Sequence, residues 1–313
     1  MKTLKIVENR NKFFIISGSI FLIGLIVMIV NLALGNGAFK LDVEFSGGTS
    51  FQVDIGQDFD NNDIIQIIKD TTGQAAPQVQ KIIGTTQVAV KMQNITTEQT
   101  TALTQALQDK YNLPDTDSIT FNDVSATVGG EMTRKAILAV VVAAVVMLIY
   151  ISIRFKDLRK GGSTIVAVLH DILLMLVAYI ILRIPLNYAF IAAILTILGY
   201  SVTNTIVIFD RVRENQRLMK SPGIPMLVDT SVTQTMRRSI FTSLTVIITL
   251  LALYILGVSS IRDFALPLII GVIGGTYSSV CLAGSLWFTF SKRKAPAGKT
   301  PTGKAPAKAK AKA

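Results

Sequence analysis

One histidine and one cysteine among 313 residues leave little room for metal or thiol chemistry. Structural zinc sites take four closely spaced Cys or His ligands and catalytic ones take three, so no metal site is expected. The lone Cys281 forbids an intrachain disulfide, and its place in an apolar run argues against a reactive thiolate. No Walker-type phosphate loop is present, and no nucleophile, base and orienting group stand at a recognisable spacing. An enzyme is therefore not expected, and no cofactor is implied. Charge is scarce as well: 16% of the residues are Asp, Glu, Lys or Arg, against about a quarter in soluble domains. The formal net charge of +11 does not point to nucleic acid. Eight of the cations lie in residues 291–313, where there is no acid. That Lys-, Ala- and Pro-rich tail has nothing to bury and is expected to be disordered, with anionic lipid as a possible partner.

Long apolar runs are abundant. Half the residues are apolar and the mean hydropathy is +0.51. Six runs, 13–34, 136–153, 164–182, 188–209, 240–257 and 264–288, can each cross about 30 Å of hydrocarbon. The first exceeds the roughly 7–15 apolar residues of a signal-peptide core and reads as an uncleaved anchor. An even number of spans puts both termini on one side. Lys2, Lys5, Arg10 and Lys12 precede the first span, Arg154, Lys156, Arg159 and Lys160 follow the second, and Arg211, Arg213, Arg217, Lys220, Arg237 and Arg238 lie between the fourth and fifth. The positive-inside bias makes those segments cytoplasmic. Residues 35–133 carry thirteen acids against five lysines and fall on the opposite side. The expected organisation is a cytoplasmic start (1–12), a first span (13–34), an extracytoplasmic domain (35–133), a five-helix membrane bundle (134–290) and a basic cytoplasmic tail (291–313).

Inside 35–133 the pattern reads strand, helix, strand, strand, helix, strand. Val43–Ile55 alternates as a strand broken at Gly47-Gly48, and Asn61–Thr71 has helical spacing. Val79–Ile83 and Gln87–Met92 form a hairpin around Gly84, Thr97–Tyr111 is a second amphipathic helix, and Ser118–Val124 is a last strand. A ferredoxin-like α+β sandwich is the economical arrangement. The Gly pair reads as a bulge or turn.

Lipid penalises polar side chains, so those within the spans are informative. Thr196, Tyr200, Thr203, Asn204 and Arg211 share one face of the fourth span; Arg238, Thr242, Thr245 and Thr249 share one face of the fifth. Both faces are expected to meet protein or water. Gly271, Gly275 and Ser279 make a small-residue surface on the sixth span, which permits close helix approach. His170-Asp171 lies deep in the third. The alternatives are structural: Asn204 can join helices through its amide, Asp210 and Arg211 can form a boundary ion pair, and His170 and Asp171 can bond to a neighbouring helix.

Several ordered motifs over about residues 10–290 resemble the SecF family, bacterial protein-export membrane subunits that partner SecD. They are Val43-Glu-Phe-Ser-Gly-Gly-Thr49; Leu169-His-Asp171; Gly199-Tyr-Ser-Val-Thr-Asn-Thr-Ile-Val-Ile-Phe-Asp-Arg211, like the family's G-Y-S-I-N-D-T-V-V-I-F-D-R; and Gly275-Thr-Tyr-Ser-Ser279. The resemblance implies six spans with a large domain after the first, the RND transporter superfamily, the bacterial cytoplasmic membrane, SecD and the SecYEG channel as partners, and a preprotein substrate. It also implies use of a proton or sodium gradient to promote translocation. Two departures stand out. Asn204 occupies the position of the family's fourth-span Asp, and Ser125-Ala126 replaces the family's Gly-Pro where the chain returns to the membrane. Ion coupling is then expected to involve Arg238, working against a SecD carboxylate, with Asn204, Thr203 and Thr242 beside it and Asp171 as a second centre. Gly199, Tyr200 and Ser201 join Gly271, Gly275 and Ser279 as packing residues, and Gly47, Gly48, Ser125 and Ala126 are candidates for conformational coupling. The competing functions are a scaffold subunit that couples no energy, and an RND-like exporter of lipids or small molecules. An apolar cleft in the soluble module would favour the exporter; a polar, edge-rich surface would favour polypeptide.

Overall fold

The computed structural model describes residues 3–74, 77–82, 84–113, 119–155, 157–220, 222–257 and 259–292. Ile83, Ser118 and the basic tail beyond Lys292 lie outside them. In chain order the elements are α1 (Arg10–Ala33), α2 (Val43–Ser46), β1 (Gly48–Asp54), α3 (Asn61–Thr72), β2 (Gln78–Lys81), β3 (Gln87–Met92), α4 (Thr97–Tyr111) and β4 (Ile119–Val124). Then come α5 (Ala126–Phe155), α6 (Leu158–Leu182), α7 (Tyr188–Leu218), α8 (Ile224–Leu256) and α9 (Ser259–Tyr277), which continues through a π-helical turn, Ser278–Ala283, into α10 (Gly284–Lys292). Among the described residues six helical stretches are long and apolar enough to cross a membrane: α1, α5, α6, α7, α8 and the α9–α10 rod.

The interior of the bundle belongs to α6, α7 and α9. Met175, Phe190, Ile197, Leu198 and Val272 form its central core. A second core, toward the pole bearing the chain ends, gathers Ile208, Phe209, Val228 and Trp287 with Ile6 and Val7. Lipid offers no hydrophobic drive between helices, so close backbone approach carries the packing. A methyl group on Gly271 would lie 2.5 Å from Ile197 Cγ1, and one on Gly24 would lie 2.7 Å from Val177 Cγ1. α1 and α5 sit at the rim and turn large apolar residues outward, among them Leu22, Ile26, Val141 and Ile149. At about 1.5 Å per residue, α7 and α8 exceed the hydrocarbon thickness. Their surplus forms a polar hairpin at the chain-end pole, where the Asn215 amide donates to Ser231 Oγ at 2.9 Å and to Gln234 Oε1 at 2.8 Å.

The module between α1 and α5 has one antiparallel sheet in the order β2-β3-β1-β4. Alternation along β1 buries Phe51 and Val53 while Gln52 and Asp54 face out. The buried set packs on Ile64 and Ile68 of α3 and on Leu103 and Leu107 of α4. Both helices are locally specified. Asp60 caps α3 and left-handed Gly73 ends it, while Thr96 and Gln99 close a capping box on α4.

One expectation is corrected. Val43–Ser46 is a helical turn and not the start of a strand. Its β-branched and aromatic residues alternate like a strand, but the Asp42 carboxylate accepts the Val43 N–H at 2.7 Å and its carbonyl accepts the Phe45 and Ser46 N–H groups. Gly47, at φ 79°, ends the turn, and the strand starts at Gly48. Gly48 is tightly held, since a Cβ there would lie 2.5 Å from the Met92 carbonyl oxygen. α5 begins beside this turn. A Cβ on Gly129 would lie 2.8 Å from the Phe45 carbonyl oxygen, and Ser125 Oγ accepts the Val128 N–H at 3.3 Å, as an N-cap does.

Candidate functional site

Asp171 is 0% exposed and lies thirteen residues into α6, deeper than the position of the apolar run suggested because α6 starts at Leu158. Three groups from three elements serve its carboxylate. His170 Nδ1 lies 3.0 Å from Oδ1; Ser201 of α7 and Ser278 of the π-helical turn donate to Oδ2 at 2.5 and 2.8 Å. Gly274 and Gly275 bring the α9 backbone against the same carboxylate: a Cβ on Gly275 would lie 3.5 Å from Oδ2 and 3.3 Å from Ser201 Cβ. The π turn widens the helix where its two serines enter the bundle, a place where such turns often mark function.

The network runs further on both sides. His170 Nε2 lies 3.0 Å from Ser17 Oγ on α1, Ser17 donates to the Tyr277 hydroxyl at 3.3 Å, and that hydroxyl donates to the Phe13 carbonyl at 2.8 Å. Phe21 and Tyr277 flank the imidazole ring. On the α7 side, Thr205 and Ser279 hydroxyls lie 3.0 Å apart, and Ser279 donates to the Ser201 carbonyl at 3.4 Å. Hydrogen bonds to a charged group contribute about 1.5–3 kcal/mol each, although measured interhelical bonds in membranes average about 0.6 kcal/mol.

The remaining predicted residues divide. Ser201, Gly271, Gly275 and Ser279 come together at the α7–α9 contact, and Tyr200 turns to the α7–α8 contact, donating to Ser243 at 2.9 Å. Nothing lies within 4 Å of a Cβ built on Gly199. Asn204 is 7% exposed and its Nδ2 has no partner among the described residues; the buried Ser239 Oγ of α8 likewise has none there. Thr203, Arg238 and Thr242 are exposed on the outside of the chain, away from Asp171. Arg238 has no acidic partner among the described residues. Asp210 pairs with Arg154 at 2.5 Å and Arg211 with Glu214 at 2.6 Å. Among the described residues no group of His, Cys, Asp and Glu could hold a metal ion.

A second constellation joins the module to the bundle. Leu41 and Leu186 form a parallel bridge, in which Asp42 N–H donates to Leu186 O at 2.9 Å and Leu186 N–H donates to Lys40 O at 2.8 Å. Lys91 of β3 donates to the buried Asp42 carboxylate at 2.6 Å. The Tyr188 N–H donates to Glu44 Oε2 at 2.7 Å, and Arg183 donates to the Asn36 and Gly37 carbonyls. Asn187 caps α7 and reaches Asp263 of α9 at 3.3 Å. A cleft of about 370 Å³ opens between the sheet and the bundle, lined by Glu44, Gln52, Lys91 and Asp263 together with Phe51, Ile82 and Val90.

Ser17, Ser278 and Tyr277 as bonding groups, and the whole joint, escaped the sequence reading. Ser17, with Ser19 two residues on, belongs to no helical stripe, and its one signal is its polarity in the apolar run between Lys12 and Asn31. Lys91 and Asp42 are 49 residues apart and give no periodic signal.

The family described as protein export membrane protein SecD/SecF, C-terminal, matches residues 102–293. The SecF subunit of the protein translocase of Alicyclobacillus acidocaldarius is 35% identical over 295 residues, covering 92% of this chain and 93% of its own. The SecDF protein of Bacillus subtilis is 33% identical over 92% of this chain but only 38% of its own length. The crystal structure of SecDF from Thermus thermophilus, titled a translocon-associated membrane protein, superposes with a TM-score of 0.78 at 28% identity. It covers 93% of this chain and 39% of that one. The chain therefore spans about two fifths of the fused SecDF proteins and nearly all of the separate SecF proteins.

Proposed function

We propose that this chain, which belongs to the SecD/SecF family of protein-export membrane proteins, is a SecF-type subunit of the Sec protein translocase that couples an ion gradient to preprotein movement. The observation that carries the coupling is Asp171, a carboxylate sealed at mid-bundle and bonded by three elements. Ionisable side chains at that depth are costly and are retained chiefly for ion pathways. The order β2-β3-β1-β4 with two helices on one face supports reading the module as ferredoxin-like. The basic residues of the opposite pole support a cytoplasmic placement of both chain ends and an extracytoplasmic module.

SecD is the proposed partner, because fused relatives carry SecD and SecF in one chain. The outward Thr203, Arg238 and Thr242 offer the face on which SecD would dock, and SecYEG and the preprotein complete the assembly. The cleft mixes Phe51, Ile82 and Val90 with charged and amide side chains, so its lining does not by itself decide between polypeptide and a small apolar cargo. Asn204, in place of the family carboxylate, favours a second reading, a scaffold that couples nothing. Membrane vesicles lacking the resident SecF and supplied with this chain separate the two. Late translocation that this chain stimulates, and that a protonophore or sodium ionophore abolishes, supports coupling. Stimulation indifferent to both gradients leaves the scaffold.

A further inference from the structure

The groups around Asp171 form a continuous series: Ser201 and Ser278, Asp171, His170, Ser17, Tyr277 and finally the Phe13 carbonyl, every link between 2.5 and 3.3 Å. Its members come from spans one, three, four and six. No Lys or Arg belongs to it. Among the described residues the titratable groups facing Asp171 are His170 beside it and, beyond Ser17, Tyr277 at the end of α9; α7 contributes only a serine, and the rest of α9 with its π turn contributes glycine backbone and a serine. No cationic side chain in the series fixes the charge of this sealed site.

We propose that His170 and Asp171 together are the proton-loading site of the chain, and that Ser17 and Tyr277 conduct its proton toward the pole bearing the chain ends. The proposal deepens the coupling reading above and rests on it for its purpose. The site favours a proton over a metal cation: three of the carboxylate's roughly four acceptor sites are taken by an imidazole N–H and two hydroxyls, and among the described residues no second carboxylate completes an oxygen cage. Transfer balances link by link. His170 gives its Nε2 proton to Ser17 Oγ as the Ser17 hydroxyl proton passes to Tyr277 Oη, and the Tyr277 hydroxyl proton leaves in turn, so each oxygen loses one proton and gains one. The last acceptor decides whether the series conducts. A peptide carbonyl such as that of Phe13 accepts a hydrogen bond but carries no proton onward, so the arrangement seen is the closed one. Conduction requires the Tyr277 hydroxyl to turn from Phe13 to water. α1, a rim helix held here by Ser17 and Phe13, is the element whose displacement would do this.

The test uses the purified full chain in lipid nanodiscs, followed by infrared spectroscopy of the protonated-carboxyl band. The expected result is a band that responds to pH, disappears in Asp171→Asn, moves its midpoint in His170→Gln, and ignores added sodium at fixed pH. After a pH jump, Ser17→Ala should slow the band's response about tenfold without moving its midpoint. Ser17→Ala removes one oxygen at the rim, so it keeps the test valid if Asp171→Asn does not fold. An unchanged band in Asp171→Asn, a sodium-dependent midpoint, or a wild-type response rate in Ser17→Ala overturns the proposal. The coupling reading fails separately. A titrating Asp171 in vesicles whose export ignores the gradient keeps the proton site and removes its purpose, whereas full gradient response in Asp171→Asn removes the site from the mechanism.

Discussion

The membrane part of this chain holds two sets of polar side chains that look alike in sequence and differ in kind. The inner set, His170, Asp171, Ser201, Ser278 and Ser17, is buried and bonded between helices. The outer set, Thr196, Thr203, Thr242, Thr245 and Thr249, is exposed, and four of its hydroxyls are engaged within their own helix. Thr203 donates to the Gly199 carbonyl at 2.9 Å, Thr196 to Ala192 at 2.8 Å, Thr245 to Thr242 at 2.8 Å and Thr249 to Thr245 at 3.0 Å. A threonine that bonds the preceding turn presents mainly its methyl group. A stripe of threonines therefore does not require a partner, whereas Asp171 does, and so does Arg238, which no backbone carbonyl bond can neutralise. Helical spacing shows which residues share a face and says nothing of which can satisfy themselves.

The comparison breaks most sharply at Asp171. Asp171→Leu leaves the Ser201 and Ser278 hydroxyls and the His170 N–H facing hydrocarbon, and is expected to destabilise the bundle by about 2–4 kcal/mol. The measurement is an unfolding titration in mixed micelles. A loss below about 0.5 kcal/mol would mean that these donors relax onto their own helices, as the outer threonines do, and the distinction between the sets would vanish. Next in size is Gly271→Val, which drives a methyl into Ile197 and Met175, with contacts at 2.5 and 3.0 Å for the first carbon alone. Overpacking of that kind costs about 1–3 kcal/mol. Gly199→Ala, in open space on a helix, should by contrast be neutral or mildly stabilising. Both glycines were read from sequence as packing residues, so the pair measures how far a small-residue motif can be trusted.

Arg238→Ala probes the outer set. In the isolated chain its removal should leave stability within about 0.5 kcal/mol, since no acid pairs with it among the described residues. If SecD docks on this face, capture of SecD in mild detergent should fall about tenfold, a difference near 1.4 kcal/mol. Unchanged capture would place SecD elsewhere on the bundle.

Much of the architecture was legible because its signals are local. The apolar runs gave all six spans, and the capped amphipathic pattern gave α3 and α4 within about a residue. The spans' ends were less legible. α7 and α8 continue as helices past the apolar limit because Asn215, Ser231 and Gln234 bond across the hairpin, and hydropathy is blind to that. Val43–Ser46 misled because its pattern fits a strand, while the Asp42 cap and Gly47 decide for a turn. Of the inner set, His170 and Asp171 were visible as ionisable residues out of place in lipid. Their partners were not, because Ser17 and Ser278 lie 153 and 107 residues away on helices whose contact only the fold provides.

The smallest expected effect is the most discriminating for the outer set. Thr203→Val keeps the shape of the side chain and removes one hydroxyl, which among the described residues bonds only the Gly199 carbonyl of the preceding turn. That carbonyl already serves the helix, so the loss should stay within about 0.5 kcal/mol in the isolated chain. If the hydroxyl also faces SecD, the complex should weaken while the isolated chain does not. Unfolding titrations of the chain alone and with SecD, run on the same variant, separate these outcomes. A change of more than about 1 kcal/mol in the isolated chain would mean that Thr203 serves a buried bond within the bundle, and the outer threonines would then have to be counted with Asp171.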